Sequence, residues 1–185
     1  MFRMIGTMTS INHILKSLLL PIFFAGFIPI IILFCIELRT IGNVFANNWV
    51  FFFMGCVFLS GGVLLFVYCN LLFIRVGKGT LMPLKKLETE HLVIKGPYRY
   101  VRNPMIIAVI SIIIGEGFLF GSFFILLYSG IFFAINAIYI PLQEEKYMEK
   151  RFGKEFLEYK ENVRGWIPHL KPYDTYENKN NRNED

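Results

Sequence analysis

The sequence predicts an all-α polytopic membrane protein, with about four transmembrane helices in two hairpins and a cytoplasmic C-terminal amphipathic helical segment. Three observations carry that expectation. Of the 185 residues, 55% are hydrophobic and 17% aromatic, and mean hydropathy is positive, far from the average soluble domain. The apolar residues gather into four runs. And 18 of the 19 lysines and arginines fall in segments that a four-helix chain places on one side of the bilayer.

The first helix is predicted over about residues 17–36, because Leu18 to Ile36 carries no charge and about 20 apolar residues span about 30 Å as a helix. Pro21 and Pro29 predict a bend rather than a break. No shorter apolar core with a small-residue cleavage site marks a signal peptide. A linker from Glu37 to Asn48, holding Arg39, Gly42 and three asparagines, leads to a second helix over 49–74. This run is rich in Phe, has Trp49 at an interfacial position, and carries Gly55, Gly61 and Gly62, which let another helix approach closely.

A third, shorter apolar run covers 104–118, and a fourth covers 122–142 after the break from Gly117 to Ser122. Glu116, near the far end of the third run, is expected either to reach the interface or to serve a site. Cys35, Cys56 and Cys69 all lie within apolar runs, with no CxxC spacing and no neighbouring His, and are expected to pack rather than to bind metal or form disulfides.

The positive-inside rule makes the basic side cytoplasmic, with both termini there. Residues 1–16 carry two basic residues, 75–104 carry seven and 142–185 carry nine. The net charge of +5 then reads as topology with some attraction to anionic lipid, and requires no nucleic acid. From Gln143 onward, Tyr147, Met148, Phe152, Phe156, Tyr159 and Val163 recur at helical steps among Lys and Glu, predicting an amphipathic segment bent near Gly153 and ended by Pro168. Residues 1–172 are expected to form a single membrane domain and 173–185 a disordered polar tail. The compact size points to a prokaryotic inner membrane.

There is no Walker loop, GxSxG elbow or HExxH pair, so phosphoryl transfer, serine hydrolysis and zinc chemistry find no support. Topology instead gathers three polar pieces at the cytoplasmic ends of helices two, three and four: Gly77-Lys78-Gly79-Thr80, the stretch from Glu90 to Ile106, and Glu144-Glu145. Singly these are weak signals, since glycines also end helices and charges at a helix exit are usually solvated.

Together they carry a resemblance. Gly96-Pro97-Tyr98-Arg99-Tyr100-Val101-Arg102-Asn103-Pro104-Met105, then Glu144-Glu145, Phe152-Gly153-Lys154-Glu155-Phe156 and Trp166-Ile167-Pro168, resembles the isoprenylcysteine carboxyl methyltransferase family and its phospholipid methyltransferase relatives. The turn from Gly115-Glu116-Gly117 to Gly121-Ser122 is similar too, and the likeness covers about residues 77–168. It implies S-adenosylmethionine as methyl donor, and the polar pocket at the inner ends of the apolar helices leads us to expect a lipophilic acceptor entering from the bilayer, an isoprenylcysteine-like carboxylate or a lipid headgroup, with membrane lipids as partners. It further implies a cofactor region over 77–106 and 143–168, with Gly77, Gly79, Glu90, His91, Leu92, Val93, Tyr98, Asn103, Pro104, Met105, Ile106, Glu144 and Glu145 as cofactor-binding positions. Arg99 and Arg102 are candidates to anchor an anionic acceptor, although topology alone also explains them.

The family's Arg-His-Pro-x-Tyr reads here Arg102-Asn103-Pro104-Met105-Ile106, and the arginine that carboxyl methyltransferases place before the acidic pair is absent. Asn replaces one hydrogen bond of His but titrates nowhere near neutral pH. These departures bear on the acceptor more than on the donor. Two other readings stay open: an NADPH-dependent reductase of the steroid 5-reductase type, and a non-catalytic membrane scaffold.

Overall fold

The computed structural model describes residues 23–37, 48–75 and 92–173. The expectations for 17–22, for most of the first linker, for Gly77-Lys78-Gly79-Thr80, for Glu90 and His91, and for the tail from 174 on lie outside those residues. The described residues contain helices and no strand. Helix α1 is composite, with π-helical Phe23–Phe27 and Leu33–Glu37 flanking α-helical Ile28–Ile32. Pro29 sits buried in its middle, and the missing proline N–H accounts for an irregular ladder there.

Helix α2 runs Trp49–Arg75 and α3 runs Pro104–Phe120. They pack antiparallel at very short range because glycines stand at the crossing points. A Cβ on Gly115 would lie 2.6 Å from the backbone N of Leu59, one on Gly62 2.9 Å from the Ala108 carbonyl, and one on Gly55 2.9 Å from the Leu119 backbone N. Small residues permit this approach, which maximises dispersion contact where lipid supplies no hydrophobic drive. Gly61, by contrast, meets nothing within 4 Å.

Helix α3 ends at Gly121, whose φ of +65° is the left-handed cap conformation that glycine adopts freely. The Ser122 N–H donates to the Gly117 carbonyl at 2.9 Å, and the Ser122 hydroxyl caps the next helix by accepting from the Ile125 N–H at 3.2 Å. Helix α4, Phe123–Tyr139, continues through a π-turn at Ile140–Glu144 into α5, Glu145–Phe152. Pro141 lies in that π-turn, where it removes one ladder donor, and the Glu145 N–H reaches back five residues to the Ile140 carbonyl. The fourth helix therefore does not stop at residue 142: it passes straight into the amphipathic segment. Gly153, with φ +55°, then breaks the chain before α6, Lys154–Asn162, where the sequence predicts a bend.

Among the described residues, two helices are long and apolar enough to cross a membrane, Trp49–Leu72 and Phe123–Phe152, and Phe23–Cys35 and Pro104–Phe120 are shorter apolar helices. Val57, Leu64, Ile135 and Ile138 are each more than half exposed. An apolar exterior on this scale suits lipid rather than water as solvent.

Among the described residues, two apolar clusters form the interior. One lies among the long helices, with Phe66, Cys69, Met105, Ala108, Ile113 and Ile125 at its centre. Helix α1 joins it through Ala25, through a Phe24–Phe132 ring contact at 5.4 Å, and through the Tyr128 hydroxyl, which donates to the Phe24 carbonyl at 3.1 Å. The other joins Ile94 to Phe156, Tyr159 and Val163, with Met148, Phe152 and Tyr173 packed around it.

Candidate functional site

The site is assembled where these two clusters meet. Residues 92–94 belong to no helix or strand, and their side chains divide between the two clusters. Val93 enters the helical core, while Leu92 and Ile94 join the second cluster. Gly96 then turns the chain with φ +56°, a left-handed conformation that favours glycine, and a Cβ there would meet the Tyr68 hydroxyl at 2.9 Å. A short 3-10 turn, Gly96–Arg99, carries Tyr98 inward.

Tyr98 is buried in the helical core, where its hydroxyl meets the Cys69 thiol of α2. Its carbonyl accepts a 2.6 Å hydrogen bond from the Tyr159 hydroxyl of α6. This one residue thus ties α2 to α6 across the loop. Burial pushes the Tyr98 phenol well above its ordinary value, and the Cys69 contact adds to the shift. The Tyr159 phenol is likewise raised by burial, with Arg102 pulling the other way.

Behind the turn, the segment after α6 wraps the backbone of 99–103 as a strap. The Arg102 N–H donates to the Arg164 carbonyl at 2.9 Å and the Asn103 N–H to the Gly165 carbonyl at 3.2 Å. The His169 N–H donates to the Tyr100 carbonyl at 2.8 Å and the Tyr173 N–H to the Arg99 carbonyl at 2.9 Å, while Arg99 Nε returns a bond to the Tyr173 carbonyl. Tyr173, which the sequence places at the start of a disordered tail, is pinned here, and its ring lies 6.1 Å from that of Tyr159.

Glu145 sits at the centre. It is 7% exposed, with Oε1 2.6 Å from Arg102 Nη1 and Oε2 2.9 Å from Lys160 Nζ. The Arg102 contact is a close ion pair without hydrogen-bond alignment. Two cations on one carboxylate leave the cluster net positive. Next to it, Arg102 Nε and Asn103 Nδ2 are buried and have no hydrogen-bond partner among the described residues. Gly165 is adjacent, since a Cβ there would come within 3.4 Å of Arg102 Nη2 and Asn103 Nδ2. Buried donors without acceptors are costly, so this corner is chemically suited to an anionic oxygen.

The sequence-derived residues therefore divide. Arg102, Asn103 and Glu145 come together as a polar centre. Val93, Tyr98, Pro104 and Met105 are buried in packing that fixes the loop to the helices, Leu92 packs on the second cluster, and Ile106 is half-buried at the start of α3. Glu144, next to Glu145 in sequence, is exposed, and the Arg99 side chain is engaged with the strap. Gly77, Gly79, Glu90 and His91 are among the residues not described. Glu116 lies four residues from the end of α3, half-buried, with Oε2 lacking a partner among the described residues.

Lys160 and Gly165 were not legible as site residues. Lys160 is fifteen residues from Glu145, with the Gly153 break between them, so no helical spacing connects the pair.

Comparison with known proteins bears on this centre directly. The family model described as phospholipid methyltransferase matches residues 61–155, a stretch that includes Arg102, Asn103 and Glu145. No curated protein and no solved structure matches the chain.

Proposed function

This chain belongs to the phospholipid methyltransferase family, a family of methyltransferases acting on lipid-type substrates, and on that premise we propose that it transfers a methyl group from S-adenosylmethionine to a lipophilic acceptor at the cytoplasmic membrane face. The acceptor is an isoprenylcysteine-like carboxylate or a lipid headgroup. All four apolar helices cross the bilayer with both termini cytoplasmic, a reading supported by the one-sided distribution of lysine and arginine.

The observation that carries the proposal is the buried Arg102–Glu145 pair beside the unpartnered Arg102 Nε and Asn103 Nδ2. S-Adenosylmethionine carries a carboxylate, an ammonium and ribose hydroxyls, and the centre offers complements to each. Arg102 Nε and Asn103 Nδ2 donate to the carboxylate. Glu145 keeps lone pairs beyond those facing Arg102 and Lys160, and accepts from the ammonium or the ribose. Gly77, Gly79, Glu90 and His91, which lie outside the described residues, remain cofactor-binding positions on the strength of the sequence resemblance.

The bound donor supplies an electrophilic methyl on a sulfonium, open to in-line displacement. What the chain contributes is alignment and exclusion of water, both functions of a rigid polar centre roofed by a hydrogen-bonded strap. Asn103 cannot act as a base near neutral pH. A carboxylate or already neutral acceptor therefore suits this site, whereas an ammonium must lose its proton elsewhere.

Calorimetry with S-adenosylmethionine on the detergent-purified protein, followed by radiolabel transfer to extracted lipids and to prenylcysteine analogues, tests the proposal. Binding that Glu145→Gln weakens at least tenfold is the expected result. Absence of donor binding at millimolar concentration, or binding of NADPH in its place, overturns it.

A further inference from the structure

The strap has a feature that closing the site does not require. Trp166 leaves the polar centre and sets its ring edge-on against Phe133 of α4, with centroids 5.1 Å apart and planes at 78°. Phe133 is six residues from Tyr139, the last α-helical residue of α4, which by helical rise is about 9 Å toward the membrane interior. Ile167 and Leu170 beside it are 62% and 100% exposed.

These are not side chains on a loose end. The backbone around them is fastened by the bonds from Arg102 and Asn103 on one side, and by the His169 bond to Tyr100 and the Tyr173 bond to Arg99 on the other. The chain therefore holds large apolar groups outward at a fixed height. Phe133 is itself 43% exposed, so the strap adds to apolar surface that α4 already presents on that side. Arg164 and Lys171, both exposed, bracket the strap with positive charge. An apolar centre between two cations, with an indole at the boundary, is the pattern of a segment lying in the bilayer interface.

We infer that residues 164–171 form a re-entrant strap, in which Trp166, Ile167 and Leu170 contact acyl chains of the cytoplasmic leaflet while Arg164 and Lys171 meet its anionic headgroups. The same strap bonds to the backbone of Arg102 and Asn103, so the polar centre has a lipid-facing wall whose position depends on the bilayer. The inference rests on the membrane placement proposed above, and not on methyl transfer.

The chain contains two tryptophans, so Trp49→Phe leaves Trp166 as the only indole. The protein is reconstituted in vesicles of phosphatidylcholine with phosphatidylglycerol, and flotation first establishes that it is in the membrane; failure at this step is failure of the placement itself. Trp166 emission is then compared in vesicles with brominated acyl chains and in plain vesicles with acrylamide. Blue-shifted emission quenched more strongly by brominated chains than by acrylamide is expected, with a loss of at least half the intensity. Stronger quenching by acrylamide than by brominated chains overturns the inference. Should Trp49→Phe fail to fold, the difference between the unaltered protein and Trp166→Phe isolates the same signal.

Discussion

The α2–α3 contact and the cluster around Tyr159 are both tightly packed, but by different physics. Between α2 and α3, three glycines bring backbones to distances at which any Cβ would collide, and specificity comes from shape alone. Around Tyr159, apolar side chains are joined to buried hydrogen bonds and a three-residue ion network, and specificity comes from satisfying polar groups. The difference teaches where each kind of change will be felt. The first region tolerates polar chemistry poorly and added volume hardly at all, whereas the second is vulnerable to the loss of single polar atoms.

The largest expected effect is therefore steric. Gly115→Leu places side-chain atoms where the Leu59 backbone stands and should cost about 3 kcal/mol or more, seen as a lowered thermal midpoint or aggregation in detergent. Gly61→Ala, on the same helix as Leu59 but in open space, should be neutral or stabilising by up to about 1 kcal/mol. Equal losses from both would break the claim that close approach, rather than helix flexibility, explains the glycines.

Next is Glu145→Gln, which strips Arg102 of its buried counter-charge. A loss of about 3 kcal/mol is expected, measurable by denaturant unfolding, together with the weakened donor binding described above. Tyr159→Phe follows, leaving the Tyr98 carbonyl without its donor at a cost of about 1–3 kcal/mol.

The same tyrosines set an alkaline limit. Burial raises both phenols above the ordinary 10.0, so above about pH 10 the unfolded chain has released protons that the folded chain still holds. Stability is thus fully present below pH 10 and falls as pH rises past it. Tyr159→Phe should flatten that fall in a pH series of thermal midpoints, and an unchanged slope would show that other groups govern it.

The smallest effect belongs to Lys160→Met. Its ammonium is more than a third exposed, and solvent screening limits the stability loss to about 0.2–1 kcal/mol. A loss as large as that of Glu145→Gln would mean that Lys160, rather than Arg102, is the partner that holds the carboxylate.

The sequence by itself determined the helical, apolar character of the described residues, the positions of α2 and α3 to within two residues, a break before Phe123, which the structure confines to Gly121 and Ser122 while Gly117 to Phe120 stay helical, and the bend at Gly153. These are local: they follow from runs of apolar residues and from glycines whose backbone freedom is needed on the spot. The π-turn at Ile140–Glu144 was less legible, because Pro141 in an apolar run reads equally as an end and as a kink, and neighbouring packing chose continuation into α5. Only the tertiary structure separated Val93 from Ile94, placed Tyr98 against Cys69, and joined Arg102, Glu145 and Lys160. It alone fastened the strap to residues 99–103 and turned Trp166 toward Phe133. Partners separated by tens of residues leave no periodic trace in the chain. They meet because burying charge and backbone is tolerable only when each group finds a complement, and where those complements stand is a property of the folded helices.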